Sequence, residues 1–131
     1  MLVIRPTGSG DVTDSHVAWR TDRHVPQIPS PLIVGSDIFL VSDDGIASYR
    51  DVASGTLHWR ERLRGSFSAS PVHADGRIYL QSEQGVCTVI AASREYRRLG
   101  SSDLAEPILA SCAFADGAVF VRTEGSLYRI E

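Results

Sequence analysis

Residues 30–63 read SPLIVGSDIFLVSDDGIASYRDVASGTLHWRERL. Pro31 to Val34 is a short apolar segment, and Gly35-Ser36-Asp37 after it has the composition of a tight turn. Ile38 to Val41 is an unbroken apolar run, the pattern of a strand buried on both faces. Asp43-Asp44-Gly45 is hairpin chemistry, because glycine reaches the positive φ that tight hairpin turns demand. Ile46 to Arg50 leads out of that turn. Ala53-Ser54-Gly55 turns the chain again, and Thr56 to Glu61 makes a fourth strand carrying Trp59. Four short strands joined by three turns define one antiparallel sheet.

The unit recurs along the chain. Gly45, Gly85 and Gly125 are spaced by 40 residues, and Ser30-Pro31 returns as Ser70-Pro71, with Ala110-Ser111 in the third position. Trp19 precedes Trp59 by 40, and Leu99 stands at the next step. In the second copy Asp75-Gly76 and Gln84-Gly85 supply turns, Ile78-Tyr79-Leu80 the inner run and Glu95 to Leu99 the fourth strand. The third copy holds Asp116-Gly117, Val119-Phe120-Val121 and Glu124-Gly125, and ends after its third strand. His16 to Thr21, with Trp19, matches the fourth strand of a further copy, and Leu2 to Arg5 is one extra strand. Arg23 to Pro31, with three prolines, reads as an extended connector. No window carries a helical apolar stripe that survives the Gly and Pro punctuation.

A period of this length marks a solenoid or propeller array. Leucine-rich, ankyrin and tetratricopeptide repeats differ in period, helix content or signature. Four strands in about 40 residues describe a propeller blade. The fold class expected is therefore all-β, built of propeller blades. Division ahead of each Trp-type strand gives an N-terminal strand and loop, 1–16, and three blade repeats at about 17–56, 57–94 and 95–131.

Composition narrows function mainly by exclusion. At 131 residues with 43% hydrophobic and 22% charged residues, the chain can bury a core and is not of the disordered class. A net charge of −3 gives no electrostatic reason to expect nucleic acid. No apolar stretch approaches the roughly 18–20 residues that cross a bilayer. The opening MLVIRPTGSG lacks the apolar core and cleavage site of a signal peptide. Cys87 and Cys112 stand at repeat positions held elsewhere by small or apolar residues, so buried inert thiols are expected.

Candidate chemistry is sparse. Gly8-Ser9-Gly10 lacks the third glycine and the strand-turn-helix setting of a phosphate loop. Asp11 and Asp14 do not complete a calcium loop and suit turn capping. His16, His24, His58 and His73 fit no metal-ligand spacing, and His58 should point to the sheet face opposite Trp59. Arg94, Arg97 and Arg98 form the densest basic cluster and read as a solvated strand edge. No catalytic, cofactor-binding or metal-ligating residue is assigned.

The repeat resembles the blade motif of quinoprotein-type β-propellers, the PQQ-like repeat. Ser30, Pro31, Asp44, Gly45, Gly55 and Trp59 fill that motif in one blade. Ser70, Pro71, Asp75, Gly76, Tyr79, Ser82 and Gly85 fill it in the next, and Asp116, Gly117, Phe120, Gly125, Leu127 and Tyr128 in the last. The chain is also similar to the C-terminal part of bacterial PQQ-binding-like propeller proteins akin to the outer-membrane-assembly lipoprotein. The resemblance implies that Trp19 and Trp59 dock between blades, and it implies an envelope or exported setting. The dehydrogenases of the family add an adjacent-cysteine disulfide, calcium ligands and a Trp floor under the quinone, none of which can be matched here.

Three blades are fewer than the about 4–8 of closed propellers, so apolar faces at both ends need cover. A homodimer that completes a six-blade ring is the expectation for the isolated chain. The functional expectation is a non-enzymatic scaffold that binds a protein or peptide partner through blade loops or an axial face. The alternatives are a remnant quinoprotein-like small-ligand or oxidoreductase module and a truncated fragment of a larger propeller.

Overall fold

Asp75-Gly76 and Asp116-Gly117 place both of their residues at positive φ, 48° and 69° in one turn and 49° and 74° in the other. This is the primed geometry whose twist matches that of the flanking strands, so each dipeptide closes a two-residue hairpin. The computed structural model describes residues 1–131 and contains strands but no helix. An N-terminal pair comprises β1 (Leu2–Ile4) and β2 (Val17–Arg20). The first blade comprises β3 (Leu32–Val34), β4 (Asp37–Val41), β5 (Ile46–Asp51) and β6 (Leu57–Arg62) in that spatial order. The second comprises β7 (Val72–Ala74), β8 (Arg77–Gln81), β9 (Val86–Ala91) and β10 (Arg98–Asp103). The third has β11 (Ala113–Ala115), β12 (Ala118–Arg122) and β13 (Leu127–Ile130). All pairings are antiparallel.

A division ahead of residues 57 and 95 passes between β5 and β6 and between β9 and β10, through two hydrogen-bonded sheets. The Trp-type strand closes the sheet that precedes it, so the hydrogen-bonded units run 32–62, 72–103 and 113–130. The fourth strand of the second blade also lies later than Glu95 to Leu99, at Arg98–Asp103.

The blades stack face to face. Phe39, Val41, Ala47, Tyr49 and Trp59 from one face of the first blade meet Ile78, Leu80 and Ile90 of the second, with Leu63 and Phe67 of the connector between them. A smaller cluster of Ile108, Cys112 and Val121 joins the second and third blades. β4, packed on both sides, is buried along its whole length, whereas β12 has only one packed face and is half open. The opposite face of the first blade is covered by the N-terminal residues. Trp19 donates to the Val52 carbonyl, and the Asp43 carboxylate accepts from the Gln27 and Ile28 amides. Ile38, Leu40 and Ile46 are buried accordingly. No such cover lies over the outer face of the third blade, where Leu127 is 68% exposed.

Each connector between blades is bonded to hairpin turns on both sides. After the first blade, the Leu63 amide donates back to the Gly45 carbonyl at 2.8 Å, and the Glu83 amide of the next hairpin donates to the Ser66 carbonyl at 2.8 Å. After the second, the same roles fall to Leu104 with Gly85 (3.0 Å) and Glu124 with Pro107 (3.0 Å).

Candidate binding surfaces between and beside the blades

Two indoles mark equivalent positions. Trp59 lies parallel to Tyr49 with centroids 5.7 Å apart, meets Tyr96 of the second blade edge-on at 5.2 Å, and donates Nε1–H to the Ser93 carbonyl at 2.9 Å. Trp19 donates to the Val52 carbonyl, also at 2.9 Å, and its ring lies against Gly55. In both cases an indole from one unit reaches the last turn of the next. The third such position holds no ring. By spacing alone it belongs to Leu99, but Tyr49 pairs with Trp59 and the corresponding Val89 pairs with Gly100. One extra residue in the turn between β9 and β10 moves Leu99 out of the slot, to 45% exposure, and puts a glycine in it.

A charge cluster clamps the first blade to the second. Asp37, at the start of β4, is buried, and its carboxylate accepts from Arg94 Nε at 3.1 Å, from Arg94 Nη2 at 2.9 Å and from His58 Nε2 at 3.0 Å. Arg94, although 55% exposed like its exposed neighbours Arg97 and Arg98, is thus also engaged across the interface. The turn between β9 and β10 carries it back across the interface, where Asp51 also approaches it at 3.6 Å. The Arg94 hydrogen bond holds the Asp37 carboxyl below the usual carboxylate range; burial opposes this, and His58 assists it. Because the folded value lies below the unfolded one, the stabilisation is fully present above about pH 4 and is lost as pH falls through the folded value. Asp37→Asn should lose about 1–2 kcal/mol at pH 7. Urea titrations at pH 7 and pH 3 should show the gap from the natural chain closing at the lower pH, and a pH-independent gap would contradict the clamp.

The other carboxylates at the connector end serve as pins. Glu83 accepts from Ser68 Oγ of the connector before the second blade. Before the third blade the roles are exchanged. Glu106 is in the connector and accepts from Thr123 Oγ1 at 2.5 Å and the Gly125 amide at 3.3 Å, bonds that hold its carboxyl below the ordinary range. Asp11 caps the Thr13 amide at 3.0 Å. No three His, Cys, Asp or Glu side chains are grouped so as to hold a metal ion. Ser15 Oγ and His16 Nδ1 are 2.6 Å apart on the exposed N-terminal loop, and His73 is exposed on β7. Cys87 is half-buried and Cys112 buried; both thiols are free and are pushed up by burial.

Beside the third blade lies a groove of about 380 Å³ formed by Pro107, Leu109, Ala110, Arg122, Thr123 and Glu124. The Ile108 amide meets the Glu83 carbonyl as the Phe67 amide meets the Asp43 carbonyl, so Leu109 occupies the connector position of Ser68. Ser68 is tied to a carboxylate, but Leu109 is 68% exposed. Leu127 pairs with Arg122 and extends the apolar surface onto the open sheet face.

Residues 9–99, which hold β2, the first blade and most of the second, match the family model described as outer membrane protein assembly factor BamB. The chain belongs to this PQQ-like propeller-repeat family. Among solved structures it is similar to BamB from Moraxella catarrhalis, with a TM-score of 0.74 and 16% identity over 87% of this chain and 36% of that one. It is similar also to the quinohemoprotein alcohol dehydrogenase ADHIIG from Pseudomonas putida HK5, with a TM-score of 0.65 and 17% identity over 82% of this chain and 18% of that one. A europium-containing methanol dehydrogenase gives a TM-score of 0.58 and 16% identity over 70% of this chain and 19% of that one. The chain thus spans about a third of BamB and about a fifth of each dehydrogenase. No curated protein matches it in sequence.

Membership of the BamB-type family accounts for the indole positions as propeller architecture. It does not bring a quinone site with it. Both Trp side chains are committed to neighbouring units, Asp37, Glu83 and Glu106 are engaged, and the two cysteines are not adjacent. The residues present do not fit that cofactor.

Proposed function

We propose that the chain is a non-enzymatic propeller module that binds a polypeptide partner at the side of its third blade. The observation that carries this reading is the Leu109 groove, with exposed apolar residues bordered by one charge of each sign, Arg122 and Glu124. Exposed apolar contact rimmed by polar groups is the general anatomy of a protein recognition surface. The likeness to an assembly factor supports it, whereas the likeness to dehydrogenases favours a quinone-dependent module that the engaged side chains do not support.

Selection from a displayed peptide library should enrich apolar-anchored sequences on the natural chain, and Leu109→Asp should reduce their binding at least about tenfold. No enrichment, or enrichment indifferent to Leu109→Asp, would overturn the reading. Self-association competes for the same surface. A ring of two copies would require displacement of residues 1–29 from the first blade, so the third-blade face is where a second copy fits. Light scattering that gave twice the 14.3 kDa chain mass, reduced to one chain by Leu109→Asp, would assign the groove to a homodimer instead.

A further inference from the structure

We propose that the space between the second and third blades is a binding site for a planar aromatic ring that carries a polar hydrogen, of the indole class. This inference is independent of the Leu109 groove.

The site is the empty indole slot. Between the first and second blades that slot is filled by Trp59 over Tyr49, Phe39 and Val41. One interface further on, Gly100 replaces Trp59, and a cavity of about 220 Å³ opens between Tyr79, Val89, Leu104, Val119 and Val121. The same interface changes in a second respect. Val41 pairs with Ala47 and Gln81 pairs with Cys87, so a buried amide stands where the first blade has an isopropyl group. Gln81 lines the cavity, is 2% exposed, and its Oε1 has no hydrogen-bond partner. A buried acceptor without a donor is a standing cost to the fold unless something supplies the hydrogen.

The two changes define the ligand. Walls of Tyr, Val and Leu accept a flat apolar ring, and the orphaned carbonyl oxygen accepts one N–H or O–H from it. An apolar cavity of about 150 Å³ is enough to take up benzene, so the larger space here suits a fused bicyclic ring. Trp19 and Trp59 show how the architecture seats such a ring, with the indole between units and its N–H given to an oxygen. The source of the ring is either a free heteroaromatic compound or a Trp side chain presented by a peptide.

Indole titrated into the ¹⁵N-labelled chain should give saturable amide shifts centred on residues 79–81, 87–89, 100 and 119–121. 1-Methylindole, which keeps the ring and lacks the N–H, should bind at least about threefold more weakly, the loss of one net hydrogen bond. Gln81→Val should remove that discrimination. Gly100→Trp should abolish indole binding and raise the melting temperature, since a Cβ at Gly100 meets nothing within 4 Å. Competition by a capped Gly-Trp-Gly peptide would identify the side-chain source, and binding of indole without competition by the peptide would identify the free compound; either result upholds the site. Shifts confined to other residues, equal affinity for 1-methylindole, or undiminished binding to Gly100→Trp would overturn it. The comparison of indole with 1-methylindole needs no variant, so the proposal stays testable even where a substitution fails to fold.

Discussion

Trp59→Ala should cost about 3–5 kcal/mol of folding stability, the range for removing a large buried aromatic side chain. The indole is sandwiched by Tyr49, Phe39 and Tyr96, and its one polar hydrogen is committed to the Ser93 carbonyl. Truncation would leave a cavity at the largest core cluster and orphan that carbonyl. Against a typical total of about 5–15 kcal/mol, such a loss threatens the fold itself. Trp59→Phe should recover most of the packing while still losing the hydrogen bond, and so should fall between the natural chain and Trp59→Ala. Trp19→Ala should cost less, because Trp19 is only half-buried. Urea denaturation followed by far-ultraviolet circular dichroism gives the ranking. A Trp59→Ala loss below about 1 kcal/mol would mean that the blades are not joined through the indole.

The second large effect is expected at the hairpin glycines. Gly45 and Gly85 sit at φ +87° and +92°, and the space a Cβ would need is occupied by main chain. At Gly45 the added carbon would lie 2.6 Å from the Leu63 carbonyl oxygen and 2.8 Å from that of Gly65; at Gly85 it would lie 2.5 Å from the Glu106 carbonyl oxygen. These carbonyls belong to the connectors, so the strain cannot be relieved without moving the next blade. Gly45→Ala and Gly85→Ala should each lose about 2–4 kcal/mol, combining left-handed strain with a backbone clash. Gly35→Ala separates the two contributions. Its φ is +60°, but nothing lies within 4 Å of the added carbon, so about 1 kcal/mol is expected. Equal losses at Gly35 and Gly45 would show that close approach of the connector contributes nothing.

Most of the strands, the turns and the positions of Trp19 and Trp59 were legible because each depends on residues near in sequence or on the repeat. The apolar run Ile38 to Val41, the Asp-Gly turns and the spacing of Trp19 from Trp59 all act locally or through the repeat. What was not legible depends on register. Gly85 and Gly125 are 40 residues apart, yet the strands they join are not evenly spaced. The extra residue between β9 and β10 is compensated by a shorter turn between β12 and β13, where Thr123 bonds to Ser126 while Ser82 bonds to Val86. The two offsets cancel in the glycine spacing, so Leu99 read as the Trp equivalent when Gly100 holds the slot. The contact of Arg94 was not legible for a related reason: its partner Asp37 is 57 residues away, and no local pattern announces a contact that forms only when blades stack. Gln81, a polar residue at the buried end of β8, was the one visible sign of the cavity, and only the register shows that it faces the empty slot.

The connectors carry a consequence for how such a chain lengthens over evolutionary time. Each bonds backward to the hairpin it leaves and forward to the hairpin it enters, through Leu63 and Ser66 in one case and Leu104 and Pro107 in the other. Any stretch one period long therefore contains each of the four bonding positions once, whichever residue it starts from. A gene duplication of that length recreates both joints without respecting sheet boundaries, so the breakpoint is free to fall inside a blade. Such a duplication would reproduce the connector joints in whichever frame it was cut.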